Sequence, residues 1–316
     1  MKIVFMGTPD FAVPALKKLV ENNYHIAAVI TAPDKPSGRG LKMNYSAVKE
    51  YALSAGLKVL QPEKLKNPEF IQELKQLNAD LQIVVAFRML PDVIWKMPPL
   101  GTFNLHASLL PQYRGAAPIN YAIINGEKKT GVTTFFLQHE IDTGNIIKQQ
   151  ECIIGENETA GELHDRLMNI GADLVLETVR LVEQNKAQPV PQKMLENGQL
   201  KVARKIFKDD CLINWNQDAH VIHNFIRGLS PYPTAFTYLV DELGNKQIFK
   251  IYNSLPEICS NSHKAGTILT DTKTYLKIVC NNGCINLLKV QLAGKKAMPV
   301  VEFLRGFNTS KIYSVG

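Results

Sequence analysis

Asn104 and His106 stand two residues apart in the segment Gly101-Thr-Phe-Asn-Leu-His-Ala-Ser-Leu-Leu-Pro111. In a strand, where side chains alternate between faces, Thr102, Asn104 and His106 share one face and Phe103 and Leu105 the other. An Asn carboxamide can donate a hydrogen bond to an oxyanion that develops during a reaction, and a His can move a proton at neutral pH. A third member, Asp142, lies in Ile141-Asp-Thr-Gly144. A carboxylate there can orient His106 and favour its imidazolium form. A His, an Asn and an Asp with no Ser or Cys nucleophile among them point away from an acyl-enzyme. They point to direct transfer, in which the amine of the substrate itself attacks. The bland alternatives stay open on spacing alone: His-Asn pairs also serve structure, and Asp before Thr-Gly caps turns.

Such residues need a scaffold, and the first 150 residues supply one. Short apolar runs at Lys2–Met6, His25–Thr31, Leu57–Leu60 and Leu81–Phe87 alternate with helical periodicity at Phe11–Val20, Tyr45–Ala55 and Pro68–Asn78. The alternation predicts a parallel sheet covered on both faces. Ligands of such sheets bind beyond the carboxyl ends of the strands, which is where Asn104 and His106 would project. The runs Val132–Leu137 and Ile146–Ile147 would return the Asp142 turn to the sheet edge. Gly7-Thr-Pro-Asp10 follows the first strand but is no G-x-G-x-x-G, so a nicotinamide dehydrogenase is not expected. A long helix is predicted over Thr159–Gln184. Asn185–Gly198, rich in Pro, Gln, Asn and Lys, reads as a linker. After it, one helix (Asp218–Leu229) precedes strands at Ala235–Val240, Gln247–Tyr252, Gly266–Thr270, Tyr275–Val279 and Cys284–Leu292, the pattern of a small OB-type barrel.

Charge divides along the same line. The 316-residue chain carries a formal net charge of +7, with 45% hydrophobic and 21% charged residues, the balance of an ordinary globular protein. Residues 1–200 hold 21 basic and 21 acidic side chains, whereas residues 201–316 hold 15 basic and 8 acidic, so the whole excess falls in the last third. A basic module joined to a neutral one suggests a polyanionic partner, with a merely solubilising surface as the alternative. Five cysteines without a C-x-x-C pair suit a reducing compartment and argue against zinc. The N-terminus has no leader-like apolar region, and no run approaches the roughly 20 apolar residues that span a bilayer. A cytoplasmic monomer is expected, with no metal and no membrane association.

Three motifs together carry a resemblance. Asn104-Leu-His-Ala-Ser-Leu-Leu-Pro111, then Tyr113-Arg-Gly-Ala-Ala-Pro118, then Asp142-Thr-Gly144 resemble the folate-dependent formyltransferases. The likeness runs over nearly the whole chain, through Met6-Gly-Thr-Pro-Asp-Phe-Ala-Val-Pro14, Ala32-Pro-Asp-Lys-Pro-Ser-Gly-Arg-Gly40, Pro231-Tyr-Pro233, Gly266-Thr-Ile-Leu269 and Ala293-Gly-Lys-Lys-Ala-Met298. The resemblance implies a Rossmann-like formyltransferase domain with a parallel-rich sheet (1–184), a linker (185–203) and a C-terminal OB-like barrel that binds tRNA (204–316). The donor it implies is 10-formyltetrahydrofolate. The Arg39 loop and the basic C-terminal module imply the α-amine of methionyl initiator tRNA as acceptor, giving N-formylmethionyl-tRNA for translation initiation.

Residue roles follow from that resemblance. Asn104 and protonated His106 would stabilise the oxyanion, with Asp142 holding His106. Ser108, Leu109, Leu110 and Pro111 would form the folate-contacting turn, and Phe87, Arg88 and Leu90 would line the pterin pocket. In Val85-Ala-Phe-Arg-Met-Leu-Pro91, Arg88 stands where the family usually has a glycine and the loop is one residue shorter. Its side chain would snorkel outward or meet the folate. Arg39 would wedge against the acceptor end of the tRNA, and Lys201, Arg204, Lys205, Lys208, Lys295 and Lys296 would follow its phosphates. Two other functions fit the residues. One is a folate-dependent formyltransferase for a nucleotide-sugar amine, for which a neutral C-terminal module would be expected. The other is a non-catalytic RNA-binding protein on a decayed enzyme scaffold, against which the intact Asn104, His106 and Asp142 argue.

Overall fold

Lys2–Gly7 is apolar from its second residue onward and forms β1, an interior strand of a seven-stranded sheet. A computed structural model of the chain describes residues 1–37, 42–196, 198–241, 244–259, 262–306 and 312–315. The chain divides into two compact units, one of residues 1–115, 130–152 and 164–202, the other of 116–129, 153–163 and 203–316.

In the first unit the strands are β1, β2 (His25–Ile30), β3 (Val59–Leu60), β4 (Leu81–Val85), β5 (Thr102–His106), β6 (Lys129–Phe136) and β7 (Ile146–Ile153), in the order β7-β6-β5-β4-β1-β2-β3. Strands β5, β4, β1, β2 and β3 are mutually parallel, and β6 runs antiparallel to β5. The chain first builds outward from β1 to β3 and then crosses back to place β4 on the other side of β1. That reversal opens a crevice at the carboxyl ends of β1 and β4. All five β4 residues are buried, as a central parallel strand requires.

Helices α1 (Val13–Glu21), α2 (Ala47–Ser54) and α3 (Pro68–Gln76) each bury one stripe. Ser46 caps α2 by accepting from the Lys49 amide, and Asn67 caps α3 ahead of Pro68, the residue types that satisfy free helix-start amides. A four-residue α4 (Asp92–Trp95) follows β4. The predicted long helix is α6 (Ala160–Glu183), after a short α5 (Pro118–Ile124) in the second unit. Thr159 and Glu162 bond each other's amides at its start, a capping box.

The second unit carries α7 (Ala219–Gly228) and an antiparallel sheet of β8 (Ala235–Asp241), β9 (Lys246–Ile258), β10 (Ile268–Thr270), β11 (Leu276–Cys280), β12 (Gly283–Leu292), β13 (Met298–Pro299) and β14 (Ile312–Val315). Its order is β10-β11-β12-β9-β8-β14, with β13 beside β12. The 13-residue β9 passes from β8 to β12 through register shifts at Ile251–Ser254, and such irregularities let a sheet curl. The sheet curls until its far strands meet, because the Val315 amide donates to the Gly266 carbonyl at 3.0 Å. A Cβ on Gly266, at φ +88°, would lie 2.9 Å from the Val315 carbonyl, so the closure requires glycine there. Phe249, Ile251, Ile226, Ile222, Trp215 and Phe303 fill the interior. The parallel-rich α/β sheet and the OB-like antiparallel sheet are the two architectures the sequence pattern predicts.

Candidate active site

Strand β5 positions Asn104 and His106. It pairs with β4 through Val84–Asn104 and with β6 through Asn104–Phe135 and His106–Thr133, so the two side chains project together, roughly 7 Å apart, at one strand's carboxyl end. The His106 side chain is 8% exposed. Its Nε2 lies 2.9 Å from the Tyr113 carbonyl oxygen. A carbonyl only accepts, so Nε2 carries the proton and Nδ1 is left with its lone pair in the neutral ring. Nδ1 faces Asp142, whose Oδ2 lies 3.9 Å away. That separation is too long for a hydrogen bond but short for an ion pair once Nδ1 is protonated. The Asn104 carboxamide, partly exposed, has no protein hydrogen-bond partner among the described residues. The structure therefore brings the three predicted catalytic residues into one strand-end cluster.

Asp142 is held on three sides. It has φ +54°, a conformation Asp and Asn tolerate better than most residues. Its Oδ2 accepts from the Gly115 amide at 3.0 Å. Gly144 behind it lies so close to β6 that a Cβ would stand 1.6 Å from the Phe136 carbonyl oxygen. That approach is the steric reason for the glycine in Asp142-Thr-Gly144. Finally, Gln192 donates to the carbonyls of Asp142 and Gly144 at 2.8 and 2.9 Å. Sequence reasoning missed Gln192, because its surroundings read as a tether. Within the first unit that stretch is instead attached to β7, with Val190 and Ile146 exchanging two backbone bonds of 2.8 Å.

The turn Ser108–Pro111 leaves β5 directly after His106. Ser108 is fully buried; its hydroxyl donates to the Gln112 carbonyl, and its own carbonyl accepts from Thr133. Gln149 donates to the Leu110 carbonyl and to Thr133 Oγ1. Leu110 is 2% exposed and packs with Phe135 and Ile146, and Pro111 is buried. Leu109 alone of the four keeps part of its surface free. Thr133 and Gln149, which shape this turn, gave no sequence signal because both read as ordinary strand residues.

Beyond β4, Phe87 is half-buried against the apolar cluster that contains Met6, Val84 and Leu90, and Leu90 itself is buried. Arg88 turns to the 62–63 segment, where its guanidinium donates to the Glu63 carbonyl at 2.9 Å and to the Pro62 carbonyl. Burial lowers its pKa. A cleft of about 510 Å³ adjoins that segment, lined by Leu60–Lys64, Asn67, Glu69, Phe70 and Glu73. It contains none of the three clustered residues, so the chemistry is located by donor geometry and not by cavity size.

Of the basic residues, Arg39 lies outside the described residues. Lys201 in the first unit and Arg204, Lys205, Lys208, Lys295 and Lys296 in the second are all exposed. Arg204 is already engaged by Asp210 at 2.8 Å and by the Tyr121 hydroxyl at 3.1 Å. The Lys205 ammonium sits 5.3 Å above the Phe207 ring.

Residues 1–179 match the family described as formyl transferase, and residues 205–308 match the formyl transferase C-terminal domain. The chain belongs to the formyl transferase family. Among curated relatives it is 54% identical over 319 residues to a methionyl-tRNA formyltransferase of Parabacteroides distasonis, covering 100% of this chain and 98% of that one. It is 52% identical to the protein of the same description from Flavobacterium johnsoniae, covering 99% of each. Solved structures of similar fold include WlaRD, a sugar 3N-formyl transferase solved in the presence of dTDP and 5-N-formyl-THF. Its TM-score is 0.65 and its identity 21%, over 94% of this chain and 99% of that one. HypX from Aquifex aeolicus in complex with tetrahydrofolic acid has a TM-score of 0.63 and 17% identity, over 99% of this chain and 50% of that one. The motifs around Asn104, His106 and Asp142 thus lie within the N-terminal family match, and the basic last third overlaps the C-terminal one. No helix among the described residues is long and apolar enough to cross a membrane.

Proposed function

We propose that this formyltransferase moves the formyl group of 10-formyltetrahydrofolate to the α-amine of methionyl initiator tRNA, giving N-formylmethionyl-tRNA. The observation that carries the reading is the arrangement of the His106 ring. Its Nε2 proton is committed to Tyr113, its Nδ1 faces Asp142, and an Asn104 carboxamide with no hydrogen-bond partner among the described residues shares its face. The full-length relatives of known description supply the acceptor.

The amine attacks the formyl carbon and forms a C–N bond, and the carbonyl electron pair becomes an oxyanion. Asn104 donates to that oxygen. The amine's proton leaves as the tetrahedral centre collapses, the bond to the folate N10 breaks, and N10 gains a proton. His106 carries protons at Nδ1, and the Asp142 carboxylate stabilises the imidazolium while it does so. A leaving group this large and flat needs an apolar wall. Phe87 after β4 and Leu109 after the adjacent β5 both keep apolar surface exposed there, whereas Leu90, Leu110, Ser108 and Pro111 support that wall from below. Arg88 acts by holding the 62–63 segment. Residues 1–184 form the catalytic module, 185–203 the connection and 204–316 the tRNA-binding module, where Lys205, Lys208, Lys295 and Lys296 meet phosphates with Lys201, Arg204 and Arg39.

The test is formyl transfer from 10-formyltetrahydrofolate to charged initiator tRNA, run beside a UDP-amino sugar and with His106→Ala in parallel. Transfer to the tRNA alone, lost in the variant, supports the reading. Transfer to the sugar alone would keep the chemistry and overturn the acceptor. No transfer to either, with tRNA still bound, would favour a non-catalytic RNA-binding protein.

A further inference from the structure

We propose that Gln192 is a positioning residue for catalysis, locking the Asp142 turn onto the Tyr113–Gly115 segment on the other side of His106. The inference rests on the reading of Asp142 given above. The Gln192 side chain is almost fully buried and all its polar capacity is directed at these two segments. Its Nε2 uses both hydrogens, one on the Asp142 carbonyl at 2.8 Å and one on the Gly144 carbonyl at 2.9 Å. Its Oε1 accepts twice from Arg114, from Nε at 3.0 Å and from Nη2 at 2.7 Å. Arg114 is held again by Glu196, at 3.2 Å.

Arg114 lies between the two residues that set the imidazole's surroundings. The Tyr113 carbonyl takes the Nε2 proton of His106, and the Gly115 amide binds the Asp142 carboxylate. One carboxamide therefore joins the segment that fixes the ring's tautomer to the turn that fixes the charge facing it. The turn needs such a clamp because Asp142 sits at positive φ, and among the described residues no other hydrogen bond reaches its carbonyl. The Val190–Ile146 bridge delivers Gln192 to the spot. The folate-side turn, in contrast, is braced by Thr133 and Gln149, which share no hydrogen bond with Gln192. Loss of Gln192 should therefore affect turnover and leave folate binding intact.

Three variants separate the possibilities in the full-length protein, with kcat and KM measured for formylation of charged initiator tRNA. Gln192→Ala should lower kcat roughly tenfold or more, the scale of two lost hydrogen bonds, with KM for the folate within about twofold. Gln192→Glu keeps an acceptor for Arg114 but turns an oxygen toward two carbonyls. It should be impaired as much as Gln192→Ala while its unfolding temperature stays closer to that of the parent. In an Asp142→Asn background, Gln192→Ala should add little, because residues acting through one another are not additive. An unimpaired Gln192→Ala, or losses that add in the double variant, would overturn the inference and leave Gln192 a structural residue. A fully active Gln192→Glu would also overturn it. An unimpaired Asp142→Asn would instead sink the reading of Asp142 itself.

Discussion

Asp142→Asn is the most discriminating single substitution, because the structure lets it remove a charge and little else. Asn tolerates the +54° φ of this position as Asp does, and its side-chain oxygen can still accept from the Gly115 amide, which now lies 3.0 Å from Oδ2. What disappears is the negative charge 3.9 Å from His106 Nδ1. Two unit charges about 4 Å apart interact by about 4 kcal/mol at an effective dielectric of about 20 and by about 1 kcal/mol in water. The side chains are 8% and 15% exposed, which puts the pair near the first limit. The carboxylate is also shared with Gly115, which lowers its free strength. A loss of about 2–4 kcal/mol in stabilising the imidazolium is expected, or roughly 30- to 1,000-fold in kcat.

The assay is steady-state formylation of charged initiator tRNA at saturating donor, with His106→Ala and the double variant beside it. If His106 depends on the carboxylate, the double should be no slower than His106→Ala alone. An Asp142→Asn enzyme within threefold of the parent would refute the reasoning, since no plausible dielectric reduces so short a contact to that.

Asn104→Ala should cost about 10²–10³-fold in kcat with a small change in KM, since its donor acts on charge that exists only during reaction; equal losses in 1/KM would show ground-state binding instead. In the second unit, burial and then the charges of Arg227 and His220 push the His223 imidazole down to about 4. An unfolded His titrates near 6.5, so stability is complete above that pH and is lost as pH falls toward 4. Between pH 7.5 and 5 the loss is about 2 kcal/mol, seen as a drop in unfolding temperature that His223→Gln should shrink; an unchanged drop would exclude His223 as the cause. Affinity for tRNA should fall with salt, and Lys295→Ala with Lys296→Ala should flatten the log–log slope by about 1.4–1.8 if both lysines meet phosphates. A slope unaltered by the pair would remove them from the interface.

What could be read in advance was what repeats locally. The apolar runs gave the strands of the first unit, and the positions of α6, α7 and β8–β12 followed from spacing and turn residues. Asn104 and His106 were visible because two polar residues with period two on an otherwise apolar strand must share a face. Asp142 was visible through its Asp-Thr-Gly turn, although the 3.9 Å approach to His106 was not. Gln192, Thr133 and Gln149 were hidden for a common reason. Each makes its hydrogen bonds to chain 16 to 78 residues away, and no local pattern encodes such a partner. Gln192 was further disguised by neighbours whose composition resembles a free connection. Arg88 stands out in the sequence as a departure from the family pattern, but its partners, two main-chain carbonyls 25 and 26 residues earlier, leave no mark on side-chain type.

The two fixings of His106 are complementary, and the transfer needs both. A histidine free to choose its tautomer would present either nitrogen, and a share of its encounters would offer an N–H where a lone pair is wanted. The Tyr113 carbonyl removes that choice, because an acceptor-only partner at 2.9 Å forces the proton onto Nε2. A lone pair at Nδ1 is then available to take a proton, but a buried imidazolium is costly without a countercharge. Asp142 supplies it at a separation that does not bind the neutral ring. At 3.9 Å the carboxylate faces Nδ1 without occupying its lone pair and stands ready as a countercharge once a proton arrives, the arrangement that a residue carrying a proton from an amine to a departing nitrogen requires.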